Sequence, residues 1–173
     1  MRVLLIDDHA LVRRGIGELL QSRGVHVAAS VSSGEEGVRR AVELHPDIIL
    51  LDVKMPGVNG IETVQRLRAA GVSAPVVMLT MSREDAELGA ALRAGAQGYL
   101  LKDMEPEELL PALEAVLRGE SVVAGRWSER SRASCATIQA RGRRRRARPL
   151  RSPNSRRANW RFSSTSPTVP ATR

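Results

Sequence analysis

The chain has 173 residues, room for one domain of ordinary size and an appendage, and its single cysteine, Cys135, excludes an internal disulfide. Hydrophobic residues make up 42% of it but aromatics only 2%, so any core is aliphatic, and no apolar run approaches the roughly 20 residues that span a membrane. The net charge of +8 combines two unlike parts: residues 1–124 carry 13 Lys and Arg against 18 Asp and Glu, a net of −5, whereas residues 125–173 carry 14 Arg against Glu129 alone, a net of +13.

The opening Met1-Arg2-Val3-Leu4-Leu5-Ile6 is too short for a signal peptide and runs straight into two acids. It reads as a buried strand, and the protein as cytoplasmic. Asp8-His9-Ala10 opens a helix with Leu11, Val12, Ile16, Leu19 and Leu20 on one face, ended by Gly24. Val25-His26-Val27-Ala28-Ala29 is a second strand. Ser33 with Glu36 three residues on has the pattern of a capping box, and that helix runs to about Leu44, before Pro46.

Ile48-Ile49-Leu50-Leu51 is a third strand, ending at Asp52. The loop Val53-Lys54-Met55-Pro56-Gly57-Val58-Asn59-Gly60 leads to a helix with Ile61, Val64 and Leu67 inward and Glu62, Gln65, Arg66 and Arg68 toward water. Gly57 and Gly60 let this loop turn tightly. Val76-Val77-Met78-Leu79 is a fourth strand, ending at Thr80. Ser82 can cap a helix carrying Ala86, Leu88, Ala91 and Leu92, closed by Gly95. Gly98-Tyr99-Leu100-Leu101 is a fifth strand, ending at Lys102. The last helix starts near Pro106, carries Leu109, Leu110, Leu113, Val116 and Leu117, contains Pro111 and stops at Gly119.

Five strands alternating with five helices predict a doubly wound, five-stranded parallel sheet with helices on both faces. Ligand sites in such sheets lie at the carboxyl ends of the strands, where this sequence puts Asp7, Asp8, Asp52, Thr80 and Lys102. Three clustered carboxylates repel one another unless a cation sits among them. Magnesium suits an all-oxygen set that also meets phosphate. A carboxylate there can be a nucleophile toward phosphorus, Lys102 can neutralise the incoming oxygens, and the Thr80 hydroxyl can hydrogen-bond to one of them. Taken singly, Asp8 reads equally as a helix cap, Asp52 as a loop acid, Thr80 as a strand end and Lys102 as a solvated lysine. Only their joint placement argues for chemistry. His9 lies next to this cluster, and His26 lies in a strand that adds nothing to it.

Ile6-Asp7-Asp8-His9, Leu51-Asp52-Val53-Lys54-Met55-Pro56-Gly57, Leu79-Thr80 and Gly98-Tyr99-Leu100-Leu101-Lys102-Asp103 resemble the receiver domain of two-component response regulators, a flavodoxin-like fold. The resemblance covers residues 1–122. The Leu-Leu-Lys-Asp ending is similar to the LuxR-type subgroup, whose members carry a helix-turn-helix output domain. The resemblance implies a signalling protein rather than an enzyme, with at most slow self-dephosphorylation. It implies phosphorylation of Asp52 by a sensor histidine kinase, and magnesium held by Asp7, Asp8, Asp52 and the backbone carbonyl of Lys54. It also implies a switch in which Tyr99 follows Thr80, and a homodimer promoted by phosphorylation.

Residues 123–173 depart from that pattern. Beyond Gly125 they hold one Leu, one Ile, one Val and one Phe, with Arg143-Arg144-Arg145-Arg146 in the middle, too few aliphatic residues for a core. The expectation is a disordered, arginine-rich tail with no output domain. It reads either as a nucleic-acid arm, with Trp127 and Trp160 to stack on bases, or as GC-rich coding sequence in a shifted frame. Weak, sequence-independent attraction to polyanions fits both, whereas specific DNA binding fits only the first. A stand-alone receiver acting in a phosphorelay or through protein contacts is the alternative function. A phosphate-ester hydrolase would place a second acid two positions after Asp52, where this chain has Lys54.

Overall fold

The computed structural model describes residues 1–124; of the tail expected over 123–173, residues 125–173 lie outside the described residues. The elements follow in the order β1 (Arg2–Ile6), α1 (Ala10–Ser22), β2 (His26–Val31), α2 (Gly34–Leu44), β3 (Ile48–Asp52), α3 (Gly60–Ala69), β4 (Val76–Thr80), α4 (Asp85–Ala94), β5 (Gly98–Leu101), α5 (Pro106–Leu117) and β6 (Val122–Ala124). The strands form one parallel sheet in the order β2-β1-β3-β4-β5-β6. Doubly wound and parallel agrees with the sequence pattern; five strands does not. The sixth, β6, pairs Val122, Val123 and Ala124 with Gly98, Tyr99 and Leu100. It is too short to carry a periodicity, and only the open edge of β5 makes it a strand. It also carries the folded part past residue 122.

Away from their ends the central strands are apolar because both faces are covered. Val3, Leu5, Ile48, Leu50, Val77 and Leu79 pack with Leu20 of α1 and Leu109, Leu113 and Val116 of α5. Leu4, Ile6, Ile49, Leu51, Met78 and Tyr99 pack with α3 and α4 through Val64, Leu67, Leu88 and Ala91. Burial of each such side chain contributes about 1.5–3 kcal/mol, and this rigid sheet fixes where its strand ends point.

Several local expectations are corrected. The predicted stripe includes Leu11, yet Leu11 is 87% exposed; at 3.6 residues per turn it lies about 140° from Ile16, off the face that meets the sheet. Ala86 is exposed for the same reason relative to Leu88. Leu117 is 41% exposed, at the end of α5. Ser82 does not cap α4: the cap position is Glu84, with no side-chain cap bond, and Ser82 Oγ accepts from Glu84 N–H within the preceding loop. Arg68 does not merely face water. Its guanidinium donates to the carbonyls of Val72, Ala74 and Gly95 and to Gln97 Oε1, tying α3 to the turns before β4 and β5. The Ser33 cap is present, accepting from Glu36 N–H at 3.3 Å, and α5 runs through Pro111 without a break.

One glycine is fixed by the site. A Cβ at Gly60 would collide with the Asp52 carbonyl and come within 2.9 Å of Val53 Cα and of Met78 Cε. The Gly60 N–H donates to the Val53 carbonyl at 3.0 Å. The loop after Asp52 therefore closes back on the strand it left, and only glycine allows the approach.

Candidate functional site

Because the strands are parallel, the ends of β1, β3, β4 and β5 share one edge. Asp7 follows β1, Asp52 ends β3, Thr80 ends β4 and Lys102 follows β5. The order reverses at β1 and β3, and Asp7 and Asp52 flank the crevice this leaves. Lys102 is held by its own N–H, which donates to the Thr80 carbonyl at 2.8 Å.

Lys102 Nζ lies 2.8 Å from Asp7 Oδ2 and 2.8 Å from Asp52 Oδ2. All three side chains are buried, at 6%, 0% and 3% exposure. Asp52 Oδ1 accepts from the Lys54 N–H at 3.3 Å, and Asp7 Oδ1 from the His9 N–H at 2.8 Å. Asp8 stands at the mouth, 26% exposed. It is not the cap of α1, a position taken by His9. Thr80 is buried, and its Oγ1 accepts from the Ser82 N–H at 3.0 Å. Tyr99 is fully buried on β5, the strand beside the one that Thr80 ends.

Burial is the largest influence on Asp52 and pushes its carboxyl above the ordinary value; the Lys102 ammonium opposes this, the Asp7 charge adds to it, and the Lys54 N–H opposes it. The Tyr99 phenol is pushed up chiefly by burial and next by the charge of Glu87, with the Thr80 hydroxyl opposing. Glu87 is thus close enough to Tyr99 for its charge to be felt there.

One ligand atom each from Asp7, Asp8, His9 and Asp52 lies within 4.8 Å of the other three. Asp7 Oδ2 and Asp8 Oδ1 are buried and accept no hydrogen bond among the described residues, although Lys102 Nζ and His9 Nδ1 lie close to them. Converging carboxylates with unused oxygens fit a hard divalent cation such as magnesium.

The structure brings together the strand-end residues expected from the sequence, and it adds contacts around them. The His9 ring lies inside the acidic cluster, with Nδ1 2.9 Å from Asp8, 3.5 Å from Asp7 and 3.8 Å from Asp52. Lys54 Nζ pairs with Glu87 Oε1 at 3.2 Å, and Arg83 pairs with Asp103 across the mouth. His9 was signalled by its place beside Asp8. Nothing in the sequence pairs Lys54 with Glu87 or Arg83 with Asp103, because only the packing of α4 beside β5 brings them together.

The model of the response regulator receiver domain matches residues 3–114. The chain belongs to this family. The receiver is 45% identical over 123 residues to the nitrate/nitrite response regulator protein NarL of Escherichia coli (strain K12), a match covering 70% of this chain and 57% of that protein. It is 44% identical over 125 residues to a nitrate/nitrite response regulator homolog of Haemophilus influenzae, covering 72% and 60%. Among solved structures, a LuxR-family two-component response regulator from Aurantimonas sp. SI85-9A1 superposes with a TM-score of 0.69 at 34% identity, covering 80% of this chain and 97% of that one. The receiver thus spans less than two thirds of the length of the curated relatives it matches. Receivers bind magnesium at an acidic cluster and signal rather than act as classical enzymes. Among the described residues no helix is long and apolar enough to cross a membrane.

Proposed function

We propose that this receiver accepts a phosphoryl group on Asp52 from a sensor histidine kinase and serves as the phosphorylation switch of a two-component system. The observation that carries the reading is Lys102, whose buried ammonium contacts both Asp7 and Asp52 at the sheet edge where Thr80 ends. A carboxylate oxygen of Asp52 attacks phosphorus. An O–P bond forms, the P–N bond to the donor imidazole breaks, and its electron pair stays on that nitrogen. Lys102 faces the negative charge of the incoming oxygens, and the Thr80 hydroxyl offers them a hydrogen bond. Asp7, Asp8, Asp52 and the Lys54 carbonyl are the residues that would hold magnesium, which when bound supplies charge neutralisation for the transfer. Thr80 and Tyr99, on neighbouring strands, form the switch: Tyr99 fills the space that Thr80 leaves as it turns to the phosphoryl group, and the faces of α4 and α5 change, favouring a homodimer.

In this reading residues 1–122, with the β6 extension, are the switch, and residues 123–173 are a basic segment in the place where the relatives continue. The parent function is transcriptional regulation with the DNA-binding half lost. The arginine-rich, aliphatic-poor composition of that segment favours this, and equally a stand-alone receiver acting through relay or protein contacts. The test uses the full chain and a small phosphodonor, with magnesium or with a chelator. Wild type takes up label only with magnesium, and Asp52→Asn takes up none, because an amide is a poor nucleophile at phosphorus. Label on Asp52→Asn at the wild-type rate overturns the assignment.

A further inference from the structure

Lys54 touches two parts of the receiver at once. Its backbone N–H donates to Asp52 Oδ1 at 3.3 Å, and its ammonium lies 3.2 Å from Glu87 Oε1 in the first turn of α4. Glu87 is only 22% exposed. Its other oxygen, Oε2, is buried and accepts no hydrogen bond among the described residues. Lys54 is the only cation paired with this carboxylate among the described residues. A largely buried carboxylate that keeps its charge depends on its partner, and losing the partner costs more than forming the pair gains.

The start of α4 lacks a side-chain cap. Its cap position, Glu84, makes no side-chain cap bond, and Asp85 and Ala86 are exposed. Behind this turn lies Tyr99, which feels the charge of Glu87. The Lys54–Glu87 pair therefore joins the loop that touches the acceptor to the element that covers the buried tyrosine.

We propose that the Lys54–Glu87 ion pair is a latch holding the first turn of α4 in the resting receiver, and that a phosphoryl group on Asp52 opens it by drawing the Lys54 ammonium to itself. The second half rests on the acceptor reading of Asp52. A phosphoryl group carries about −1.5 to −2 charges at neutral pH against one on Glu87, and it arrives beside the residue whose own N–H already contacts Asp52. Lysine suits the exchange because its ammonium is a point charge on a flexible stem that needs no fixed geometry. Once Lys54 leaves, Glu87 is an uncompensated carboxylate against the core. It gains by turning to water, and the turn that carries it loosens over Tyr99.

Amide hydrogen exchange across α4 (Asp85–Ala94), measured on the full chain with magnesium, tests this. Four proteins are compared, each with and without a small phosphodonor: wild type, Glu87→Gln, Lys54→Met and the double variant. Glu87→Gln keeps the shape and removes the charge; Lys54→Met removes the ammonium and leaves the backbone. Without donor, both single variants exchange about two- to fivefold faster than wild type in the first turn, the range a partly exposed pair supports. The double variant matches either single one, because the two residues act as one contact. Wild type reaches the same faster exchange when phosphorylated, and the variants then gain little. Resting exchange in Glu87→Gln equal to wild type, or additive effects in the double variant, overturns the latch. Uptake is read in the same samples. No label on wild type overturns the acceptor reading and with it the opening step, whereas label on wild type with unchanged α4 exchange overturns the opening step alone.

Discussion

The ammonium of Lys102 stands 2.8 Å from the Asp52 carboxylate across fifty residues of sequence, and at the same distance from Asp7. With all three groups buried, Lys102 offsets the mutual repulsion of two carboxylates that the sheet forces together. It is therefore a structural counter-ion, and in the proposed function it also serves the acceptor chemistry.

Lys102→Met separates these roles. Without the ammonium and without metal, Asp7 and Asp52 are left buried and uncompensated, and stability falls by roughly 3 kcal/mol. Magnesium replaces part of the missing charge, so the variant regains more stability on adding magnesium than wild type does. Thermal unfolding with chelator and with magnesium reads both. Equal gains in the two proteins would show that Lys102 does not offset the carboxylate pair.

Asp52→Asn is expected to act in the opposite direction. Burial raises the Asp52 carboxyl above its ordinary value of 3.8, so the folded protein holds that proton more tightly than the unfolded chain. The proton-linked contribution of this group to stability is fully present below about pH 3.8 and is lost as pH rises through the raised folded value, so at neutral pH the protein holds an ionised carboxylate that burial disfavours. In metal-free buffer at pH 7 the Asn variant is more stable than wild type. The difference shrinks as pH falls toward 4. Denaturant titrations at several pH values check the sign, and a less stable variant at pH 7 refutes it.

The strand ends were readable in the sequence because a parallel strand buried on both faces is an apolar run that stops abruptly. Ile6 before Asp7, Leu51 before Asp52 and Leu101 before Lys102 each mark such a stop. Helix stops at Gly95 and the Ser33 cap were readable for similar local reasons. What was not readable depends on packing between elements. Leu11 is apolar yet exposed because α1 shows the sheet another face, and Arg68 looks like a surface residue until the turns before β4 and β5 are beside it. Val122-Val123-Ala124 becomes a strand only because β5 leaves an edge open. The Lys54–Glu87 and Arg83–Asp103 pairs join residues that are ordinary solvated charges in any local window.

Thr80→Ala separates acceptance from response. Asp52, Lys102 and the acidic cluster stay in place, so uptake from a small donor persists, slowed about tenfold by the loss of one hydrogen bond to the transferred group. The space beside Tyr99 opens permanently, so its surroundings no longer depend on phosphorylation. Thr80→Ser keeps the hydroxyl and keeps the response. The measurement is the change in Tyr99 amide and ring chemical shifts on phosphorylation. An equal change in wild type and Thr80→Ala would disconnect the two residues.

The chain carries two unlike charge distributions. Residues 125–173 carry 14 Arg and one acid, whereas residues 1–124 have a net charge of −5. Arginine clusters attract phosphate backbones by releasing condensed counterions, an effect indifferent to base sequence. If the basic segment is not a DNA-reading element, the full chain binds any duplex weakly. A chain ending at Ala124 does not bind, because its net charge repels the polyanion. The logarithm of affinity falls linearly with the logarithm of salt, with a slope near −0.9 for each phosphate neutralised. Four engaged arginines then lower affinity by more than a hundredfold between about 50 and 200 mM salt. Phosphorylation of Asp52 leaves this binding unchanged, since it alters no group that meets the backbone. Binding isotherms on several unrelated duplexes across a salt series, taken on the full chain with and without phosphorylation and on the chain ending at Ala124, read all four features. A preference for one duplex of about a thousandfold that survives at 200 mM salt would require base contacts, and would make residues 125–173 a genuine output element of this receiver.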